Sequence, residues 1–276
     1  MKKILSVVFI LSIVFSCFAQ DNVEIADSSA LSVESSDVVK NMQIISPEDL
    51  IARASIAYDQ ENYKQTIDDY ESLISVYGTA PDLYYNLANA YFKDKNFAKA
   101  ILNYERCLIY DPGNSDAKAN IDLAKANCVD KIETIQPVIF KAWSDSISNS
   151  MSCGTWSIFA IIFFLLFIIC LFAYFFMRKV SVRKIGFYLG ILSIVFSLIC
   201  NVYANQQNDR INIRDYAIVI SPSVTVKSSP AESGTQLFTI HEGLKVKVRN
   251  TLSGWSEVEL SDGNVGWLPS EAIEMI

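Results

Sequence analysis

Few side chains in this sequence could do covalent chemistry. His241 is the single histidine among 276 residues. It stands just before Glu242-Gly243, a turn-type pair, and no nucleophile can be placed beside it. A thiol–imidazole hydrolase needs both groups within hydrogen-bond reach, and the six cysteines do not supply the thiol. Cys17 lies in an N-terminal apolar leader, and Cys170 and Cys200 lie in long apolar runs. The remaining three, Cys107, Cys128 and Cys153, show no C-x-x-C or other ligand spacing, and their odd number argues against a disulfide framework. Cys107 reads as the filler of a small core site. The expectation is therefore no catalytic residue, no metal ligand and no cofactor. The chemistry that remains is non-covalent recognition by aromatic and amide side chains, and it depends on the elements that carry them.

Those elements differ too much in composition to share one core. The chain begins with Lys2-Lys3, an apolar run from Ile4 to Phe15, then Cys17-Phe18-Ala19. That order is a secretory signal over residues 1–19, too short to span a bilayer. Cleavage after Ala19 is expected; lipidation of Cys17 is the alternative, opposed by bulky Phe15. Residues 20–45 are rich in Ser, Asp, Glu and Val without periodicity and read as a flexible acidic linker. Residues 20–153 hold 21 acids and 11 bases, which argues against a nucleic-acid partner.

Residues 155–177 carry no charge and would reach roughly 34 Å as a helix, enough for a hydrocarbon core of about 30 Å. A second candidate span covers 185–204. Between them, 178–184 holds Arg178, Lys179, Arg183 and Lys184, and a short basic loop beside membrane helices stays in the cytoplasm. Both flanks, including the linker at 205–215, are therefore expected on the opposite, extracytoplasmic side. The export signal gives the same orientation independently.

Ser46-Pro47-Glu48-Asp49 offers a capping hydroxyl, a first-turn proline and acids favourable to the helix dipole. The signal recurs at Pro81-Asp82, a spacing that matches the period of one known class of two-helix repeat. The segment 81–114 has Tyr84, Leu87, Ala88, Tyr91, Ala100, Tyr104 and Pro112 at the positions that mark tetratricopeptide repeats, and it resembles that family. The segment 47–80 is a weaker copy, with Ile51, Ala54, Tyr58, Tyr63, Tyr70 and Leu73, and its internal turn is expected to be one residue shorter. A further helix from Ser115 to about Lys131 caps the stack, which gives a repeat module over 46–131. In this family the first helix of each repeat lines a groove, which assigns partner binding to Tyr85, Asn86, Asn89, Phe92 and Lys93. For Phe92, packing against a neighbouring helix is an equal alternative. No cationic clamp for a peptide carboxylate is visible, since Ala52 and Ile56 occupy the weaker repeat's equivalent positions.

In the linker 132–154, Ile139, Trp143, Ile147 and Met151 recur every four residues beside Phe140, a helical stripe. Two placements stay open: the stripe lies on the bilayer with Trp143 at headgroup level, or it docks on the repeats. From Tyr216 to Ile276 the pattern changes to short strands with turns at Glu242-Gly243, Ser253-Gly254 and Asp262-Gly263. Through VTVKSSP, HEGLKVKV, SGWSEVEL and DGNVGWLPS, residues 216–276 resemble the bacterial Src-homology-three-type domain, a small barrel. That resemblance places Trp267 in the core and makes Tyr216 and Trp255 a candidate shallow groove for peptide or wall stems.

The fold class expected is thus a multidomain membrane protein: all-α tetratricopeptide hairpins, two transmembrane helices and a small all-β Src-homology-three-like barrel. The complete order is similar to the BatE family of Bacteroides aerotolerance operon proteins. YYNLANAYFK, AILNYERCL, DPGN, RKIGFYLG, VTVKSSPAESGT and DGNVGWLP carry the likeness locally. The resemblance implies a non-enzymatic scaffold of an inner-membrane complex with von Willebrand factor A-domain Bat proteins. It also implies an indirect link to a MoxR-type ATPase and a role in oxidative stress tolerance or envelope maintenance. The competing expectation is a membrane-anchored module that binds peptidoglycan.

Overall fold

The computed structural model describes residues 46–130 and 139–276, the latter with side chains from residue 142 onward. The expected signal at 1–19, the tether at 20–45 and the linker stretch 132–138 lie outside the described residues, as do the side chains of Ile139 and Phe140.

Five helices open the described chain: α1 (Pro47–Asp59), α2 (Tyr63–Tyr77), α3 (Pro81–Lys93), α4 (Phe97–Tyr110) and α5 (Ser115–Lys125). Their starts follow from local chemistry. Ser46 Oγ accepts from the Asp49 amide at 3.1 Å, with Pro47 at the first helical position, while Asn96 and Asn114 cap α4 and α5 in the same way. The helices pack as hairpins because the close-contact positions are small: Ala54, Ala88 and Ala100 are completely buried. Tyr70, Tyr91 and Tyr104 fill the remaining space in the same core.

The two internal turns are equally long, contrary to the sequence expectation. α1 and α3 have the same length, and in each hairpin a turn of the same size leads into the second helix, at Tyr63 and at Phe97. Glu61 and Lys95, equivalent positions in the two turns, adopt φ of 59° and 64°. Each turn also donates its following asparagine amide back to the helix, Asn62 to Ala57 O at 2.8 Å and Asn96 to Tyr91 O at 2.9 Å. The shared left-handed residue closes the turn without glycine, which is why side-chain identity hid the equivalence. The capping helix, expected to reach Lys131, ends at Lys125. It begins at Ser115, one full repeat beyond Pro81, in register as a third first-helix.

Next comes α6 (Ile139–Ser148), which ends before the bound expected for the linker helix at 132–154, and then α7 (Cys153–Phe176) and α8 (Val180–Asn212). The last two are long and apolar enough to cross a membrane. The basic loop expected at 178–184 shrinks to Met177, Arg178 and Lys179, and most of the linker expected at 205–215 is helical. Both extensions have a physical cause. Arg183 Nε donates to the Tyr174 carbonyl at 3.2 Å, at the end of α7. No proline or glycine interrupts 191–212, and Gln207 is satisfied by Ser148 O at 2.7 Å.

The chain divides into two compact units, one of which contains residues 166–192 and the other 46–165 with 193–276. In the first, Gly186 lets the backbone approach the Cys170 carbonyl, where a Cβ would come to 3.0 Å. In the second, Ser197 Oγ donates to Ala160 O at 2.9 Å, and Trp156 and Tyr203 meet with ring centroids 5.0 Å apart. On α8 the residues Gly186, Gly190, Ser193, Ser197, Cys200, Ala204 and Gln207 recur at alternating intervals of four and three. That spacing sets these residues along one face of α8.

The C-terminal part is an open antiparallel sheet of seven strands: β1 (Tyr216–Val219), β2 (Ser223–Lys227), β3 (Gln236–His241), β4 (Lys245–Leu252), β5 (Trp255–Glu259), β6 (Val265–Pro269) and β7 (Ile273–Met275). The order is β3-β2-β6-β5-β4-β1-β7, so β3 and β7 are edges and the hydrogen-bonded ladder does not close on itself. Alternation decides the core. In β6 the inward positions are Gly266 and Leu268, so Trp267 faces outward, half-buried, and does not take the core place that the barrel resemblance assigns to it. Gly266 is needed at its position because a Cβ there would strike Val226.

Candidate functional site

The repeat and the sheet belong to one packed unit. Ile101 and Leu102 of α4 share a buried cluster with Ala124, Ile218 and Ile276, and polar contacts ring it. Arg106 bonds Glu274 at 3.0 Å and Met275 O at 2.6 Å, and Lys245 bonds Glu105 at 2.7 Å. Gly243, at φ 85°, sits where any Cβ would strike Cys128. His241 belongs to this joint: its Nδ1 lies 2.9 Å from Asp130 Oδ1, and its amide donates to Asp130 Oδ2 at 2.6 Å. The histidine is therefore committed to holding the sheet against the end of the repeat.

All five groove candidates lie on α3, one of the three first helices α1, α3 and α5. Asn89 Oδ1 accepts from the Tyr104 hydroxyl at 2.6 Å and from Asn120 Nδ2 at 3.3 Å, and Asn120 also reaches the Tyr85 hydroxyl at 3.5 Å. The Tyr85 and Tyr104 rings lie 5.9 Å apart. Asn86 bonds the Tyr70 hydroxyl, and burial raises the Tyr70 and Tyr104 phenols above their ordinary range, so both stay neutral. Tyr85 and Asn89 are thus joined through Asn120 into a half-exposed tyrosine–asparagine surface, with Asn86 on the same helix.

The other two candidates are placed differently. Phe92 packs edge-on against Phe97 at 5.5 Å and touches two buried clusters, the contacts its packing alternative expects. Lys93 is exposed in the last turn of α3. Sequence reasoning missed Asn120, because α5 reads as a cap. Its equivalence to Asn86, one full repeat earlier, was the available signal.

On the sheet, Tyr216 and Trp255 do not form one groove. Tyr216 is 44% exposed and lies under Lys245, whose Nζ is 5.0 Å from the ring centroid. It pairs with Lys247, which pairs with Glu259. Trp255 is therefore two strands across and four residues along, about 16 Å away by strand geometry. The aromatic neighbour of Trp255 on its own face is Trp267, opposite Glu257 and Lys227, and Lys227 Nζ stands 5.1 Å from the Trp255 centroid.

Among the described residues no cluster of three or more His, Cys, Asp or Glu side chains could hold a metal, and the cysteines described are free. Cys107 is fully buried, and burial pushes its thiol up to about 12.

Helical hairpins in regular succession, with small residues at the contacts and a polar face on the first helices, define a helical-repeat interaction module. The tetratricopeptide-repeat family model matches residues 81–114, the span of α3 and α4. No curated protein matches the chain.

Proposed function

We propose that this chain is a non-enzymatic scaffold, held in a membrane by α7 and α8, that recruits protein partners through the first-helix face of its repeats. The observation that carries this reading is the connected Tyr85–Asn89–Asn120 surface on a tetratricopeptide repeat, since such repeats are interaction modules. The anchor is supported by the surface of the long helices: only 11% and 28% of their apolar windows are buried, whereas a soluble protein's core helix would be mostly buried. The packing of α4 on β1 supports placing the repeat and the sheet on one side. Two contacting modules separated by two spans must share a compartment, and the basic turn favours the extracytoplasmic, periplasmic one.

At finer grain, the likeness to the BatE family makes von Willebrand factor A-domain membrane proteins the partners. A MoxR-type ATPase would be reached only through them, because the short turn between α7 and α8 is far smaller than an interface of about 800 Å² per partner. Oxidative stress tolerance or envelope maintenance is the corresponding process. The test is affinity purification of the detergent-solubilised chain against the Asn86→Ala/Asn120→Ala variant. Loss of co-purifying membrane proteins, with unchanged helical signal, is expected; full retention would remove the groove from the proposal. A reporter fused after Ile276 tests the topology, and cytoplasmic activity there would overturn it.

One observation favours a second reading. Trp255 and Trp267 share a half-exposed face with Lys227 on the sheet that resembles a Src-homology-three-type domain, which suits a wall-peptide groove. Sedimentation with peptidoglycan separates the two: binding lost in Trp255→Ala favours wall attachment over recruitment.

A further inference from the structure

Two clefts stand out in the repeat-and-sheet unit, and their electrostatics differ. The smaller, about 150 Å³, holds two acids and two bases that are already matched, Glu71 with Lys99 at 4.0 Å and Arg106 with Glu274 at 3.0 Å. The larger, about 430 Å³, lies where α4, α5, the end of α8 and β1 meet, and its walls carry Lys118, Arg210, Arg214 and Lys245. Its two carboxylate side chains are taken, Glu105 by Lys245 at 2.7 Å and Asp215 by Lys247 at 3.4 Å. Arg210 is shared with Asp145 at 3.8 Å. Lys118 and Arg214 have no carboxylate partner among the described residues; Arg214 reaches only the Tyr110 hydroxyl, at 3.4 Å. The cleft therefore has uncompensated positive charge, beside an apolar rim that includes Ile213, 61% exposed.

Its height along α8 suggests the source of the missing anion. Arg210 lies roughly 9 Å of helix beyond Ala204, just past a polar layer roughly 5–8 Å deep outside a bilayer's hydrocarbon, and helical side chains tilt toward the helix N-terminus, here back toward that layer. A guanidinium fork and an ammonium are the donors that bind phosphate oxygens, and an exposed isoleucine beside them suits the glycerol and upper acyl region. We infer that this cleft binds the phosphate of an anionic phospholipid in the adjacent leaflet, fixing the repeat and the sheet against the membrane surface. The inference rests on the membrane-anchor reading above.

The test uses the full chain purified in a neutral detergent, with lipid retention followed by native mass spectrometry and stability by thermal unfolding. Phosphatidylglycerol should be retained and should raise the unfolding midpoint, while phosphatidylcholine and inorganic phosphate should not. In Lys118→Gln/Arg214→Gln the apparent affinity for phosphatidylglycerol should fall roughly tenfold or more. Arg178→Gln/Lys179→Gln, in the turn joining α7 and α8, should leave it unchanged. Should the first variant unfold, Lys118→Glu, at an exposed position, must still weaken binding. A response to inorganic phosphate equal to that to the lipid would overturn the assignment, as would equal loss, or no loss, in the two double variants. Carbonate extraction separates this from failure of the anchor: a chain that stays in the membrane pellet but ignores phosphatidylglycerol overturns the lipid site alone, whereas release into the supernatant overturns both.

Discussion

Thr66 and Ala100 occupy the same place in the two hairpins, as do Asp69 and Asn103, Tyr70 and Tyr104, and Leu73 and Cys107, and all eight are buried. Burial is kept at each pair while size and polarity are free to change. The polar position shows how. In the first hairpin the Asp69 carboxylate, 4% exposed, receives Arg53 Nε at 2.9 Å and a second bond from the same guanidinium. In the second hairpin Leu87 replaces that arginine, and Asn103 Nδ2 donates to Lys99 O at 2.9 Å while its Oδ1 finds no protein partner. The hairpin thus requires close helix approach and a filled core, and it tolerates a buried polar group by whatever local partner the sequence offers.

The largest expected effect attacks what both hairpins need. Ala88 is completely buried between helices, so Ala88→Trp should destabilise the repeat by about 3 kcal/mol; an unchanged thermal melt of the detergent-solubilised chain would mean that residue 88 does not set the helix approach. Next, Arg53→Leu copies the second hairpin's solution into the first and strands the Asp69 carboxylate. The guanidinium is 45% exposed, so the expected cost is about 1–2 kcal/mol. Adding Asp69→Asn should recover most of it in denaturant titrations; if the double variant is as weak as the single, the two positions are not coupled.

The third prediction concerns pH. Unfolded, the Cys107 thiol ionises near its ordinary value of 9.0, and folded it holds its proton to about 12. The unfolded state therefore binds fewer protons over that interval, and the thiol's stabilising contribution is intact below pH 9 and lost progressively up to 12. Tyr104 and Tyr91, also raised by burial, act in the same direction at higher pH. Denaturant midpoints measured from about pH 8 upward should fall, with a shallower slope in Cys107→Val. An identical slope would assign the loss to the tyrosines. The smallest effect is Asn103→Leu, which removes an unpartnered acceptor and should be neutral or stabilising by up to about 1 kcal/mol. A clear loss would show that the amide has a role its contacts do not reveal.

What the sequence made legible follows local rules. The second hairpin could be read because Ala88, Ala100 and Tyr104 obey a dense spacing, and the apolar runs of α7 and α8 because length and composition suffice. Trp267 was misplaced because a short strand can be read in either phase, and only the clash behind Gly266 fixes which face is inward. The equal turns escaped notice because Glu61 and Lys95 do what glycine usually does. The candidate groove was half legible: the tetratricopeptide resemblance points to Tyr85, Asn86 and Asn89, but Asn120 meets Tyr85 and Asn89 from a neighbouring helix. Tyr216 and Trp255 could not be known to lie apart without strand register. The seating of the sheet on α4 depends on residues distant in the chain, where no local pattern reaches.

That seating has a consequence in time. Leu102 and Ile218 share one buried cluster, but everything between them, both long helices included, must be synthesised first. At ribosomal rates of about 5–20 residues per second, the outer face of α4 waits roughly 6–23 s for its cover. During that interval a newly made repeat exposes Ile101 and Leu102 to whatever else is nearby, while both long helices are still being made. The last strands to emerge therefore complete an element made near the beginning, and the moment of greatest vulnerability for this chain is during its own translation.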